Sequence, residues 1–217
     1  MKLNKKLQTS MMKQSSSVFY TMQLDNSQNR FIYSDEQLMS LFQGGDENAY
    51  IELVNRYKDK LINFIFNYLG DLESSEDVVQ ETMIKLYQKK HYYKEIAKFS
   101  TWLYTIAKNL ANTELRKRKQ RKTTLLSQFS KDDKTYDLPS NDPEPGQEIQ
   151  TDIVNKIIRD AVDQLSEKFK IVIVLRDIQG LSYEDISEII NVPIGTVKSR
   201  INRARLQLQV ELKHLKK

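Results

Sequence analysis

Residues 180–208 read GLSYEDISEIINVPIGTVKSRINRARLQL, and the fold turns on this stretch. Ser182 followed three residues later by Asp185 is spaced to cap a helix N-terminus, where a hydroxyl accepts an otherwise orphaned backbone N–H. Ile186, Ile189 and Ile190 then recur at helical spacing and form one apolar face. Asn191 to Ile194 supply a short turn, with Pro193 unable to continue the first helix. Gly195 and Thr196 open a second helix whose inward positions are Val197, Ile201, Ala204 and Leu208. Two short helices on a tight turn, the second lined with cations, follow the helix-turn-helix plan.

The outward positions of the second helix are Lys198, Ser199, Asn202, Arg203 and Arg205, with Arg200 alongside. From Lys198 onward seven Lys/Arg face one acid, Glu211. Arg and Lys bond guanine edges or phosphates, and Asn reads adenine. A helix N-terminus also favours a phosphate, which suits Gly195 and Thr196. A merely solvated amphipathic helix would explain the charge but not the agreement of turn, caps and basic face.

Upstream of this domain the composition changes. Between residues 127 and 152 seven acids (Asp132, Asp133, Asp137, Asp142, Glu144, Glu148 and Asp152) meet two bases, and LPSNDPEPG is the punctuation of a linker. Helical periodicity resumes at Ile153, Ile157, Ala161 and Leu165. Before the linker, Ser34 with Gln37 matches a capping box. Tyr50, Leu53, Val54, Tyr57, Leu61, Phe64, Ile65 and Tyr68 then trace a long amphipathic helix closed by Gly70. Ser74 with Asp77 offers another capping box, ahead of the stripe Val78, Val79, Thr82, Met83 and Leu86. Residues 88–98 read as a loop or broken helix, and a further helix runs from Ser100 into ELRKRKQRK. No segment alternates as a strand does, so the expectation is an all-α chain. It divides into a disordered extension (1–32), a helical domain (33–124), a flexible acidic linker (125–152) and the helix-turn-helix domain (153–217).

A second cationic cluster, Arg116 to Lys119 with Arg121 and Lys122, extends the helix that carries Asn109 and Asn112. It follows the aromatic loop of His91, Tyr92 and Tyr93. Cations for phosphates beside exposed aromatics for stacking is what single-stranded DNA asks of a protein. Such a run is otherwise a solubilising tail. Trp102, beside the Leu103/Ile106 stripe, reads as core.

Several function classes drop out. The chain has no cysteine and two histidines, His91 and His214, so thiolate chemistry, disulfides and zinc sites are not expected. Its longest apolar run, Ile171 to Leu175, is far too short to span a bilayer, and no secretory signal is visible. A cytoplasmic protein is therefore expected. The net charge of +5 is only mildly basic; the placement of the charge carries the information. Glu76, Asp77 and Glu81 could be taken for metal ligands, but with Gln80 they read better as a polar docking face for a protein. No cofactor is expected.

Three stretches together closely resemble the extracytoplasmic-function (ECF) group of bacterial sigma factors: SSEDVVQETMIKLYQ, KFSTWLYTIAKNLANTELRKRKQRK and the helix-turn-helix segment quoted first. The likeness runs from about Tyr33 to Leu212, and the linker matches in character only. It implies a sigma factor that binds core RNA polymerase, directs it to specific promoters and promotes DNA melting. On that resemblance Asp77, Gln80 and Glu81 would dock on the β′ clamp helices. Tyr92 and Tyr93, with Asn109, Asn112, Arg116 and Lys117, would take the promoter −10 element, Tyr93 falling at the family's aromatic position for a flipped base. Lys198, Ser199, Asn202 and Arg203 would read the −35 duplex, and Thr196, Arg200 and Arg205 would hold phosphates. A surface near Leu165 and Ile171 would receive the β flap. The linker would thread the polymerase's RNA channel, and an anti-sigma factor is a further implied partner; no small-molecule substrate is.

The family's common glycine after the loop aromatic is missing, Lys94 to Ala97 occupying the stretch, and Asn202 stands where some relatives have an aromatic. Promoter preference is therefore not carried over. An ordinary helix-turn-helix regulator would explain residues 150–217 but leave the first domain idle. A metal-dependent nuclease would need carboxylates converging with a base, and none converge by sequence.

Overall fold

Every backbone hydrogen bond of an α-helix is local, so a chain of helices must be assembled by side-chain faces and caps. The computed structural model describes residues 32–129 and 149–215. Among them are eight α-helices and no strand: α1 (Asp35–Gln43), α2 (Glu47–Leu69), α3 (Leu72–Gln88), α4 (Phe99–Phe129), α5 (Ile149–Asp163), α6 (Glu167–Ile173), α7 (Tyr183–Ile190) and α8 (Ile194–Glu211). The all-α expectation holds. The proposed N-terminal extension and the acidic middle of the linker lie outside the described residues. Helix runs through Phe129 and resumes at Ile149, on both sides overrunning the linker bounds drawn from composition.

Contacts sort the chain into two units, one within Met1–Tyr57 and Lys89–Phe99, the other within Lys58–Gln88 and Ser100–Lys217. The first is built on α1, the start of α2 and the loop after α3. Ser34 and Gln37 form the reciprocal capping box read from sequence. Leu38, Met39 and Phe42 bury one face of α1 with Ala49, Leu53, Tyr57 and Phe99. Asp35 draws in both Arg56, at 2.9 Å, and the Tyr57 hydroxyl, at 2.5 Å.

In the second unit Leu61, Phe64, Ile65 and Tyr68 of α2, the expected stripe of α3, and Leu103, Tyr104, Ala107 and Ala111 of α4 are buried. Phe64 meets Tyr104 edge-on with centroids 5.2 Å apart. Gly70 closes α2 at φ 77, in the left-handed region a glycine enters freely. The cap of α3 differs from expectation. Ser74 lies inside the helix, and its N–H donates instead to the Asp71 carboxylate at 2.9 Å. Asp71 also takes the Arg118 guanidinium at 3.1 Å.

The remainder of this unit holds the helix-turn-helix. Val172 to Leu175, Ile186, Ile189, Val197, Ile201 and Ala204 form its core, with α6 and α7 both packed on α8. Each such aliphatic side chain contributes about 1.5–3 kcal/mol on burial. Ser182 caps α7 as expected, accepting from Asp185 N–H at 3.0 Å. Asn191 makes the turn at φ 53, a conformation its short polar side chain tolerates. α8 begins at Ile194, one residue before the expected Gly195. Between α6 and α7 the chain winds into a π-turn, Val174–Ile178, which carries no signature in the sequence.

The Asp71 carboxyl is held below the ordinary aspartate value, chiefly by hydrogen bonds from Ser74 and then by Arg118. Its stabilising effect is therefore present above about pH 4, the unfolded value, and fades as pH falls through the lower folded one. Asp71→Ala should cost about 0.5–2 kcal/mol, as loss of an N-cap does. Urea denaturation from pH 7 to pH 2 should show the deficit shrinking at the acid end; a deficit constant with pH would exclude the carboxylate as its source.

Candidate nucleic-acid interface

α8 displays its predicted residues as an amphipathic helix must: with Val197, Ile201 and Ala204 buried, the opposite face is open. Lys198, Ser199, Asn202, Arg203 and Arg205 are exposed on it, while Thr196 and Arg200 are half-buried. Arg205 is not free. Its guanidinium lies 2.5 Å from the Asp177 carboxylate, and that hydrogen bond raises its pKa above the usual arginine value. The π-turn presents Asp177 to it, since the extra residue per turn rotates the side chains that follow. Arg200 points elsewhere, lining a groove with Lys108, Asn112, Arg116 and Lys119 of α4.

On α4, Asn109, Arg116 and Lys117 are exposed. Asn112 is half-buried, its carbonyl oxygen accepting the Tyr68 hydroxyl at 2.9 Å. Burial pushes the Tyr68 hydroxyl up to about 12, so it stays a donor at any physiological pH. Arg118 of the basic run is structural, bonding Asp71 and the Leu69 carbonyl. Trp102, read as core, is half-buried.

The aromatic loop is held from beneath. Gln43 donates to the carbonyls of Lys90 and Tyr93 at 2.7 and 3.0 Å, and Lys90 donates to the Phe42 carbonyl while its ammonium lies over the Phe42 ring. Tyr93 is only 6% exposed, edge-on to Phe99, and its hydroxyl donates to the Ala97 carbonyl at 2.9 Å. Burial, with nearby carboxylates, pushes that hydroxyl up to about 12. Tyr92, by contrast, is 78% exposed and Ile96 90% exposed. Of the two tyrosines read as a pair, the structure thus offers Tyr92 to solvent and folds Tyr93 into the core. Ile96 was missed because an isolated Ile among Lys, Glu and Ala shows no periodicity.

Asp77, Gln80 and Glu81 are exposed on α3, as their spacing requires, and line an open groove of about 660 Å³ with Lys117 and Arg121 of α4. Exposed Ile84 shares this groove, and sequence reading passed over it. Among the described residues no group of three acids or histidines is arranged to hold a metal.

Two family profiles match the chain: Sigma-70 region 2 over residues 53–121 and Sigma-70 region 4 over residues 155–208. The ECF RNA polymerase sigma-E factor of Haemophilus influenzae is 35% identical over 185 residues, covering 84% of this chain and 97% of that protein. The chain belongs to the extracytoplasmic-function sigma factors. SigW of Bacillus subtilis, also an ECF RNA polymerase sigma factor, is 36% identical over 179 residues, 79% of this chain and 92% of the relative. Among solved structures, the sigma factor RpoE of Bartonella quintana, in complex with the anti-sigma factor NepR, aligns with TM-score 0.60 and 28% identity over 76% of this chain and 96% of its own. CnrH in complex with the cytosolic domain of CnrY aligns at 0.63 over 83% of this chain and 97% of its own, and at 19% identity shows a shared fold alone. As a sigma factor, the protein directs RNA polymerase to promoters. The basic faces of α4 and α8 fall within the region 2 and region 4 matches respectively.

The Asp177–Arg205 pair sets a test. An arginine relieved of its acid neutralises one more phosphate, and each phosphate contact adds about 0.9 to the salt slope. Asp177→Asn should tighten binding of a −35 duplex several-fold at low salt and steepen the slope of log affinity against log salt by about 1. An unchanged slope would show that Arg205 makes no phosphate contact.

Proposed function

We propose that this sigma factor works by binding alone, with three surfaces of named residues. In the duplex-reading surface, Lys198, Ser199, Asn202 and Arg203 of α8 meet base edges of the −35 element, and Thr196, Arg200 and Arg205 hold phosphates that fix register. The carrying observation is the open basic face of α8 on a capped, well-packed helix-turn-helix. In the melting surface, exposed Tyr92 stacks on a base of the −10 element, while buried Tyr93 anchors the loop that carries it. Asn109, Asn112, Arg116 and Lys117 take the strand's polar edges and phosphates. Unstacking a base costs a few kcal/mol, and an aromatic platform returns about 1–3 kcal/mol of it.

The third surface is the groove of Asp77, Gln80 and Glu81, which suits the β′ clamp helices of core polymerase; Leu165 and Ile171 mark the face for the β flap. An anti-sigma factor is the expected inhibitor, supported by relatives solved in such complexes. The acidic linker is suited to the polymerase's cationic RNA channel. A cytoplasmic location goes with this reading. Among the described residues no helix is long and apolar enough to cross a membrane. No cofactor or small-molecule substrate enters the scheme.

Two substitutions test the DNA assignments. Arg203→Ala should weaken −35-dependent initiation by about 1–3 kcal/mol and leave polymerase binding intact. An equal loss on a promoter with a scrambled −35 element would refute base reading. Tyr92→Ala should slow opening of a duplex promoter more than of a pre-melted template, whereas Tyr92→Phe keeps the ring and the rate. The same defect on both templates would remove Tyr92 from the melting step.

A further inference from the structure

Tyr92, assigned above to stack on a base, is 78% exposed, so no packing of its own ring fixes where it stands. Its position is set through the backbone on either side. Lys90–Tyr92 make one turn of 3₁₀ helix, and the carbonyls that end such a turn need partners from outside it. One side chain supplies them. Gln43 Nε2 donates to the Lys90 carbonyl at 2.7 Å and to the Tyr93 carbonyl at 3.0 Å. A primary amide carries two N–H bonds on one nitrogen, so a single glutamine brackets Tyr92 from both sides. The Lys90 carbonyl also receives Tyr93 N–H, but only at 3.4 Å, so Gln43 is its nearer donor.

The clasp is reciprocal. Lys90 Nζ donates back to the Phe42 carbonyl at 3.1 Å, one residue before Gln43, and lies 4.5 Å from the Phe42 ring centroid. Two turns earlier on α1, Glu36 Oε1 accepts Phe99 N–H at 3.1 Å, where the loop ends and α4 begins. Positions 36 and 43 are two helical turns apart and share one face, so one side of α1 holds both ends of the aromatic loop. Contacts accordingly group residues 89–99 with α1 rather than with α3 and α4, the helices that flank the loop in sequence. Within the loop the Tyr93 hydroxyl donates to the Ala97 carbonyl, and Ile96 N–H donates to the Lys94 carbonyl at 2.7 Å.

None of the three binding surfaces contains a residue of α1. We infer that Gln43 is a positioning residue for promoter opening: it touches no DNA, and it presets the backbone that presents Tyr92 to an unstacked base. The inference rests on the reading of Tyr92 as the stacking residue. Ordering a backbone residue costs free energy, and in a loop already tied down that cost is met on folding. An untied Tyr92 would meet it during opening, in competition with restacking of the base in the duplex. Neutral amide-to-carbonyl bonds suit the task beside DNA, because salt does not screen them as it screens exposed charge pairs.

Two substitutions remove the donors and keep the length. Gln43→Met is apolar, and Gln43→Glu sets acceptor oxygens against the two carbonyls. Holoenzyme carrying each full-length variant is assayed for opening of a duplex promoter and of a pre-melted template. Binding to core polymerase and to a −35 duplex is measured alongside. Expected is duplex opening slowed about tenfold, as the loss of two neutral hydrogen bonds allows. The pre-melted template should be far less affected, with core and −35 binding unchanged. Combined with Tyr92→Ala, Gln43→Met should add nothing, because no ring then remains to be positioned. A loss that multiplies with that of Tyr92→Ala overturns the inference, and so does normal duplex opening by either variant. A fall in core or −35 binding in step with opening overturns it too, since Gln43 would then serve the fold at large. Tyr92→Ala by itself separates the two levels. An equal defect on both templates sinks the stacking assignment and the inference with it. A defect selective for the duplex in Tyr92→Ala but absent from Gln43→Met leaves the assignment standing and removes only the inference.

Discussion

Where α2 ends and α3 begins, one carboxylate and one guanidinium fix the path of the chain. Asp71 caps α3 through Ser74 N–H and binds Arg118, and Arg118 also donates to Leu69 O at the end of α2. Two helix termini, each with orphaned polar groups, are thus satisfied by the Asp71–Arg118 pair. The partners are part-exposed, so the pair itself contributes little free energy. Its weight is geometric, because α4 carries the basic run and the asparagines. An arginine in a basic tract is easily taken for a DNA ligand; here Arg118 instead fixes the stretch of helix from which Arg116 and Lys117, immediately before it, are displayed.

Charge placement on α8 follows a similar division between holding and reading. The helix has cations on its open face, yet Arg205 is occupied by Asp177, Arg200 faces a groove and Lys198 lies 5.8 Å from the Tyr183 ring centroid. A net charge of +5 spread over the whole chain would give weak, indiscriminate attraction to nucleic acid. Concentrating cations on two helices, and pairing some internally, makes binding depend on which face is presented.

What could be read from sequence was what local rules determine. The helix-turn-helix was legible because its cap, stripe and turn lie within a few residues of each other. The Ser34/Gln37 box and Gly70 were legible for the same reason. The cap at Ser74 was misread because Asp71 competes for it with help from Arg118, 47 residues away. Tyr92 and Tyr93 could not be told apart because only tertiary contacts decide between them: Phe99 covers one ring, and Gln43, 50 residues earlier, pins the loop backbone. The π-turn is invisible to periodicity, since five residues of VLRDI fit an α-helix equally well.

The π-turn also explains why such irregularity survives in a small helical domain. A regular α-helix through residues 174–178 would keep i→i+4 bonding and aim the side chains of Asp177 and Gln179 along other directions. With the wider turn, Gln179 N–H bonds to Val174 O at 3.0 Å, Asp177 meets Arg205, and Gln179 meets Tyr104 and Asn63. One local distortion therefore touches an exposed arginine of α8 and a hydrogen bond from α4 to the segment before α7. A polar contact of this kind is suited to surfaces that must be reused. An apolar seam of the same extent would hold more firmly, but opening it would expose that surface to water at about 25 cal/mol per Å². Side chains joined in this way can trade each hydrogen bond for one with water at little net change in free energy.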